Sequence, residues 1–167
     1  PPTAPHHRHE YCGAVPQFCS ASVTDARAHE LLTEYFGYRA ETFPTPSGYI
    51  TTFPAPEQFE PPKGVFLIVG DDEGEKALGC GGIRELAAGQ YEVKHLWVRP
   101  KGRGTGLGRQ LLGELERRAR HWGATELVLD TNESLAAAGG LYRSCGFESV
   151  KPYNDNPNAT TWYRKEI

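Results

Sequence analysis

The 167-residue chain carries 18 Lys and Arg against 21 Asp and Glu, a formal net charge of −3, which leaves no basic footprint for nucleic acid. No apolar run approaches the ~18 residues of a membrane span, so a membrane partner is not expected either. One domain is expected, with a core that buries about 70% of the surface exposed on unfolding.

Residues 1–16, PPTAPHHRHEYCGAVP, read as a flexible leader, and 17–167 read as the domain. His6, His7, His9 and Cys12 lack metal-site spacing, so no metal is expected there. Cys12, Cys19, Cys80 and Cys145 are scattered without a CxxC pair, which fits reduced thiols and a cytoplasmic setting.

In chain order, PQFCSASV reads as a short strand. Thr24 or Asp25 then caps a helix with an apolar face of Leu31, Leu32, Tyr35 and Phe36. Residues 43–64 form a long loop that holds six of the thirteen prolines. Two strands, GVFLIVGDD and EKALGCGGIREL, flank a DDEGE turn, and QYEVKHLWV is a third. The next helix places Leu107, Leu111, Leu112, Leu115, Ala119 and Trp122 on one face and stops at Gly123. TELVLDTN reads as a central apolar strand. Ser134 is placed to cap SLAAAGGLYRSC, which ends at Gly146, before the closing strands FESVKPY and TTWYRKEI.

Between strand 90–98 and the Leu107 helix lies RPKGRGTGLGR. A strand, a glycine-rich turn and a helix start together make an anion site. Glycine lets backbone N–H groups approach an oxyanion, and the helix dipole favours it. The expected ligand is a phosphate or pyrophosphate. Spacing excludes a P-loop, because Gly108 is followed by Arg109-Gln110 rather than Lys-Ser/Thr. It also excludes the G-x-G-x-x-G dinucleotide turn, because the third glycine would fall on Leu107 or Arg109.

Arg103-Gly104-Thr105-Gly106-Leu107-Gly108 resembles the R/Q-x-x-G-x-G/A loop of the GNAT acyltransferase superfamily, and LYRSCGF at 141–147 is similar to a second family motif. The resemblance runs from Gln90 to about Gly146. It implies an α/β GNAT fold, a mixed central sheet with helices on both faces. It also implies acetyl-CoA as co-substrate. Residues 103–108 would hold the pyrophosphate, and the backbone of Leu96, Trp97 and Val98 the pantetheine. Lys101 and Arg109 read either as phosphate contacts or as solvated charges. Where many members carry Asn, seven residues before the motif tyrosine, this chain has Leu135; Asn132 is the candidate substitute.

Acetyl transfer requires a neutral amine, and a lysine-like amine is neutral only about once in a thousand near pH 7. By resemblance, Glu92 is the candidate base and Tyr142 the candidate acid for the departing thiolate. His95 is a second base candidate, facing away from Glu92 if the strand is regular, and Lys94 is placed to pair with Glu92. Tyr38, Tyr49, Phe53, Trp162, Asn154 and Asn156 are candidates for an acceptor pocket.

The leading reading is an N-acetyltransferase acting on a small-molecule primary amine such as an amino acid, polyamine or amine-bearing drug, by direct attack in a ternary complex. Alternatives are acetylation of a protein lysine or N-terminus, and a non-catalytic acyl-CoA sensor, against which Glu92 and Tyr142 argue. Monomer and homodimer both stay open.

Overall fold

The computed structural model describes residues 16–70 and 77–167. The histidines and cysteine of the leader, and the DDEGE turn, lie outside the described residues. The elements run β1 (Gln17–Ser20), α1 (Ala26–Thr42), β2 (Gly64–Gly70), β3 (Ala77–Ala87), β4 (Gln90–Val98), α2 (Leu107–His121), β5 (Glu126–Thr131), α3 (Ala136–Ser144), β6 (Glu148–Val150) and β7 (Thr161–Glu166). This order is the one expected from the sequence.

The strands form one seven-stranded sheet in the order β1-β2-β3-β4-β5-β7-β6. All neighbours are antiparallel except β4 and β5. That parallel pair is joined only from Gln90 to Glu92, opposite Glu126 to Val128. Beyond Glu92 the two strands part, and the β5-facing edge of β4 has no strand partner among the described residues. This split positions the site.

One face of the sheet carries α2 and α3, where Leu111, Leu115, Leu127 and Leu129 are almost wholly buried. Each such side chain contributes about 1.5–3 kcal/mol relative to exposure. α1 covers the other face through Ala28, Leu31, Leu32 and Phe36. Asp25, not Thr24, caps α1 by accepting the Arg27 N–H at 2.8 Å.

Two local expectations are corrected. Ser134 does not cap α3. Its own N–H donates to the Asn132 side chain at 3.0 Å, so an Asx turn takes over the helix entry. The strand expected at 147–153 ends at Val150, because Pro152 has no N–H to give and the chain turns away.

A third correction matters more for the site. On β4, Trp97 pairs with Cys80 and Lys94 with Gly82, so His95 and Leu96 together oppose Gly81. This is a β-bulge, and His95 sits at φ 59°. The extra residue shifts the side-chain alternation. Tyr91 and Val93, then Leu96 and Val98, pack against the α2 core. The His95 ring turns instead toward α1 and packs on Phe36 (5.5 Å) and Tyr35 (5.8 Å). His95 therefore shares a face with Glu92, contrary to the regular-strand expectation.

Candidate active site

Two clefts open where β4 and β5 part. The first, about 470 Å³, runs along the end of β4 and over the start of α2. Leu96, Trp97 and Val98 form its floor. Arg103, Gly104, Gly106, Leu107, Gly108 and Arg109 form its head. Of the residues expected to hold the co-substrate, Thr105 and Asn132 do not line it. The Thr105 hydroxyl donates to the Gly102 carbonyl at 2.6 Å, which tightens the loop. Asn132 is buried, donating to the Asn158 carbonyl at 3.2 Å and accepting from Ser134.

The glycines do different work. Gly104 and Gly106 adopt φ 77° and 81°, a left-handed backbone that any side chain would strain. Gly108 instead permits close packing, since a Cβ there would lie 3.3 Å from Leu141. The α2 ladder begins with Gln110 N–H on the Gly106 carbonyl at 3.0 Å. The amides of Leu107, Gly108 and Arg109 are therefore free of the helix ladder, the arrangement an anion cradle needs. Arg103 is tied beside this cradle: it donates to the Val98 carbonyl (3.1 Å) and lies over the Trp97 ring at 5.1 Å. Arg109 donates to the Ser144 hydroxyl at 2.7 Å.

The second cleft, about 560 Å³, lies between α1, the 48–59 loop, β4, β5 and the 154–158 loop. Tyr49, Phe53, Asn154 and Asn156, four of the candidates for an acceptor pocket, line it together. Tyr38 lines the first cleft instead, and Trp162 lines neither. The Trp162 indole N–H donates to Asn154 Oδ1 at 2.8 Å and so fixes that side chain. Two lining segments are tied together: Asn158 accepts from the Ile50 N–H (3.0 Å) and donates to the Ile50 carbonyl (2.8 Å). Asn158→Ala is expected to lower stability by about 1–3 kcal/mol and to raise the acceptor KM, measured by thermal melts and initial rates.

The clefts meet at Tyr35, Arg39, Leu96, Leu135, Ala138 and Tyr142, which line both. Tyr142 is buried, its ring packed on Phe147 and Tyr163, each at 6.0 Å. Burial pushes its phenol upward, with help from Tyr35, so the hydroxyl stays protonated at working pH.

Glu92 lines neither cleft. It is 1% exposed and fully engaged. One oxygen accepts from Arg84 at 2.8 and 2.9 Å, and the other accepts the Tyr153 hydroxyl at 2.6 Å. Lys94 lies 3.6 Å from Glu92 and 3.2 Å from Asp130. Glu92→Gln is expected to cost about 2 kcal/mol of stability, since it leaves the buried cations under-compensated, and a denaturant titration measures this.

His95 lines the second cleft, but burial first, then Lys94 and Arg84, push its pKa down to about 3. Burial works to raise Asp130, yet Lys94, Asn154 and Asn156 outweigh it and hold the carboxyl below its ordinary value. None of Cys19, Cys80 and Cys145 lines either cleft. Among the described residues there is no cluster of three or more His, Cys, Asp and Glu able to hold a metal, and no helix is long and apolar enough to cross a membrane.

Sequence reasoning missed Arg39, Arg84, Asp130 and Asn158. Two of them left a signal. Arg39 continues the Leu32–Phe36 stripe of α1 at i+7 and i+3, so it is a charge on an apolar face. Asp130 directly follows the apolar run Leu127–Leu129 of β5.

Comparisons with known proteins agree with this geometry. The model of the acetyltransferase (GNAT) family matches residues 26–147. An uncharacterized N-acetyltransferase of Schizosaccharomyces pombe is 37% identical over 109 residues, 65% of this chain and 66% of that protein. The chain thus spans just under two thirds of that relative. An IAA acetyltransferase of Azospirillum brasilense is 31% identical over 125 residues, 74% of this chain and 78% of that protein. The crystal structure of a putative acyl-CoA N-acyltransferase from Klebsiella pneumoniae superposes with a TM-score of 0.72 at 27% identity, covering 90% of this chain and 97% of the other. With a family match over most of its length, a sheet split at β4 and β5, and an amide cradle at the split, the chain belongs to the GNAT acetyltransferase family.

Proposed function

We propose that the protein transfers an acetyl group from acetyl-CoA to the primary amine of a small molecule, by direct attack in a ternary complex. One observation carries this reading: the two clefts share Tyr142. A thioester in the first cleft and an amine in the second would meet beside its hydroxyl. A cleft of about 560 Å³, with two of its lining segments tied by Asn158 and Ile50, favours a compact acceptor over an extended peptide.

In the proposed reaction the amine nitrogen attacks the carbonyl carbon and forms a C–N bond. The C–S bond then breaks, and the thiolate takes the Tyr142 proton, which solvent later replaces. The proton lost by the amine leaves through cleft water. Cys19, Cys80 and Cys145, the cysteines among the described residues, line neither cleft, which supports direct transfer without an acyl-enzyme. Glu92 acts as a positioning residue, holding Arg84 and Lys94 at the cleft wall.

The shifted groups of the acceptor cleft change charge outside the working pH range. His95 is neutral above about pH 3, Asp130 stays ionised, and the phenols of Tyr49 and Tyr142 stay protonated. The rising limb therefore belongs to the amine. Below the amine's own pKa, kcat/KM is expected to rise about tenfold per pH unit, with a midpoint that tracks the acceptor. A midpoint fixed near 6.5 for acceptors of different basicity would assign the limb to an enzyme group instead.

The test of the activity itself is acceptor-dependent release of free thiol from acetyl-CoA, with the acetylated product identified by mass. CoA binding without any product from small amines would move the function to a protein acceptor or a sensor.

A further inference from the structure

The charges of the acceptor cleft do not balance. Arg39, Arg84 and Lys94 line it, together with Asp130. Arg84 is neutralised by Glu92, and Lys94 is shared between Asp130 and Glu92. Three cations thus face two carboxylates. The uncompensated charge is that of Arg39, which has no carboxylate partner among the described residues.

Arg39 is only 7% exposed. Its guanidinium donates to two neutral groups, the Tyr35 hydroxyl at 3.1 Å and the Asn158 carbonyl at 3.4 Å. It lies over the rings of Tyr49 at 5.2 Å and Tyr35 at 5.9 Å. These contacts hold the guanidinium in place without neutralising it, and two of its five N–H donors are used. A buried cation without a counter-charge is costly, and a planar guanidinium matches a carboxylate through two parallel hydrogen bonds. Phe36, Phe53 and Phe59, with the neutral His95 ring, form an apolar patch of the wall, and the remaining polar groups, Gln58, Asn154 and Asn156 among them, are neutral. A cavity of about 560 Å³ has room for one small molecule.

We infer that the acceptor is an amine bearing a carboxylate on an apolar body, the class of hydrophobic and aromatic amino acids. The carboxylate pairs with Arg39, and the amine points to the junction at Tyr142. This inference rests on the acetyltransferase reading above and narrows its acceptor. Polyamines and aminoglycosides, which bring only positive charge, are disfavoured by the same guanidinium.

The test uses matched pairs that differ in charge but little in shape: L-phenylalanine with L-phenylalaninamide, and L-leucine with L-leucinamide, plus spermidine. Initial rates of thiol release are compared per neutral amine. Binding of the same probes to the CoA-saturated protein is measured by calorimetry. The acid is expected to exceed its amide by roughly ten- to a hundredfold in kcat/KM, and to bind more tightly. Arg39→Gln should erase that difference by raising the acceptor KM, with a smaller change in the KM for acetyl-CoA, since Arg39 also borders the first cleft. Arg39→Lys should keep part of it. Turnover of amides or spermidine as good as that of the acids would overturn the inference and keep the enzyme. Preference for the acids in binding without turnover would keep the carboxylate site at Arg39 and overturn the enzyme. No discrimination in either readout, or an Arg39 effect confined to acetyl-CoA, overturns it as well. The wild-type comparison stands even if the Arg39 variants fail to fold.

Discussion

Replacing Tyr142 with Phe is expected to lower kcat by about 10²- to 10⁴-fold, with acetyl-CoA binding and thermal stability close to wild type. The separation follows from the packing. The ring fills the junction of the two clefts against Phe147 and Tyr163, and Phe preserves it. The hydroxyl has no hydrogen-bond partner among the described residues, so removing it strands no buried group. What is lost is the proton donor for the thiolate, kept protonated by burial. Single-turnover and steady-state rates, beside calorimetry with CoA, measure the two sides. An unchanged kcat would assign the leaving-group proton to solvent. A loss of CoA affinity equal to the loss of rate would make Tyr142 a binding residue.

Gly106→Asp is expected to weaken CoA binding by at least about a hundredfold while the domain stays folded. Gly106 is the residue before α2 and sits at φ 81°. A non-glycine residue pays about 1–2 kcal/mol for that backbone. A Cβ there meets nothing within 4 Å, so the new side chain has room. That room, however, lies on a loop that lines the groove, beside the free amides of Leu107, Gly108 and Arg109. A resident carboxylate would occupy the anion site and repel a pyrophosphate from the same helix terminus. Calorimetric titration with CoA, beside a circular dichroism melt, measures the effect. Retained affinity would mean that the pyrophosphate is held elsewhere, with Arg103 and Arg109 the remaining candidates.

The parts legible in the sequence were those written in local patterning. β4 runs from Gln90 to Val98 as expected, because Gly89 and Arg99-Pro100 bound an alternating stretch. The α2 face and its stop at Gly123, φ 85°, were equally local. The fold followed from two motifs separated by a helix and a strand. The bulge at His95 was not legible, because it depends on which β3 residue opposes it. The acceptor cleft was half legible. Tyr49, Phe53, Asn154 and Asn156 could be named, but the Arg39 contact to Asn158 joins residues 119 apart. The base expected at Glu92 shows the same limit. Its strand position was visible, whereas its engagement by Arg84 depended on the β3–β4 register and that by Tyr153 on where the 151–160 segment turns.

Direct transfer at the junction of two clefts is tested most directly by initial velocities measured over a grid of acetyl-CoA and L-phenylalanine concentrations. The expected result is a set of intersecting double-reciprocal lines, as a ternary complex requires, with Tyr142→Phe lowering every velocity. Parallel lines, with an acetylated enzyme detectable by mass, would contradict direct transfer and place a covalent intermediate on the protein.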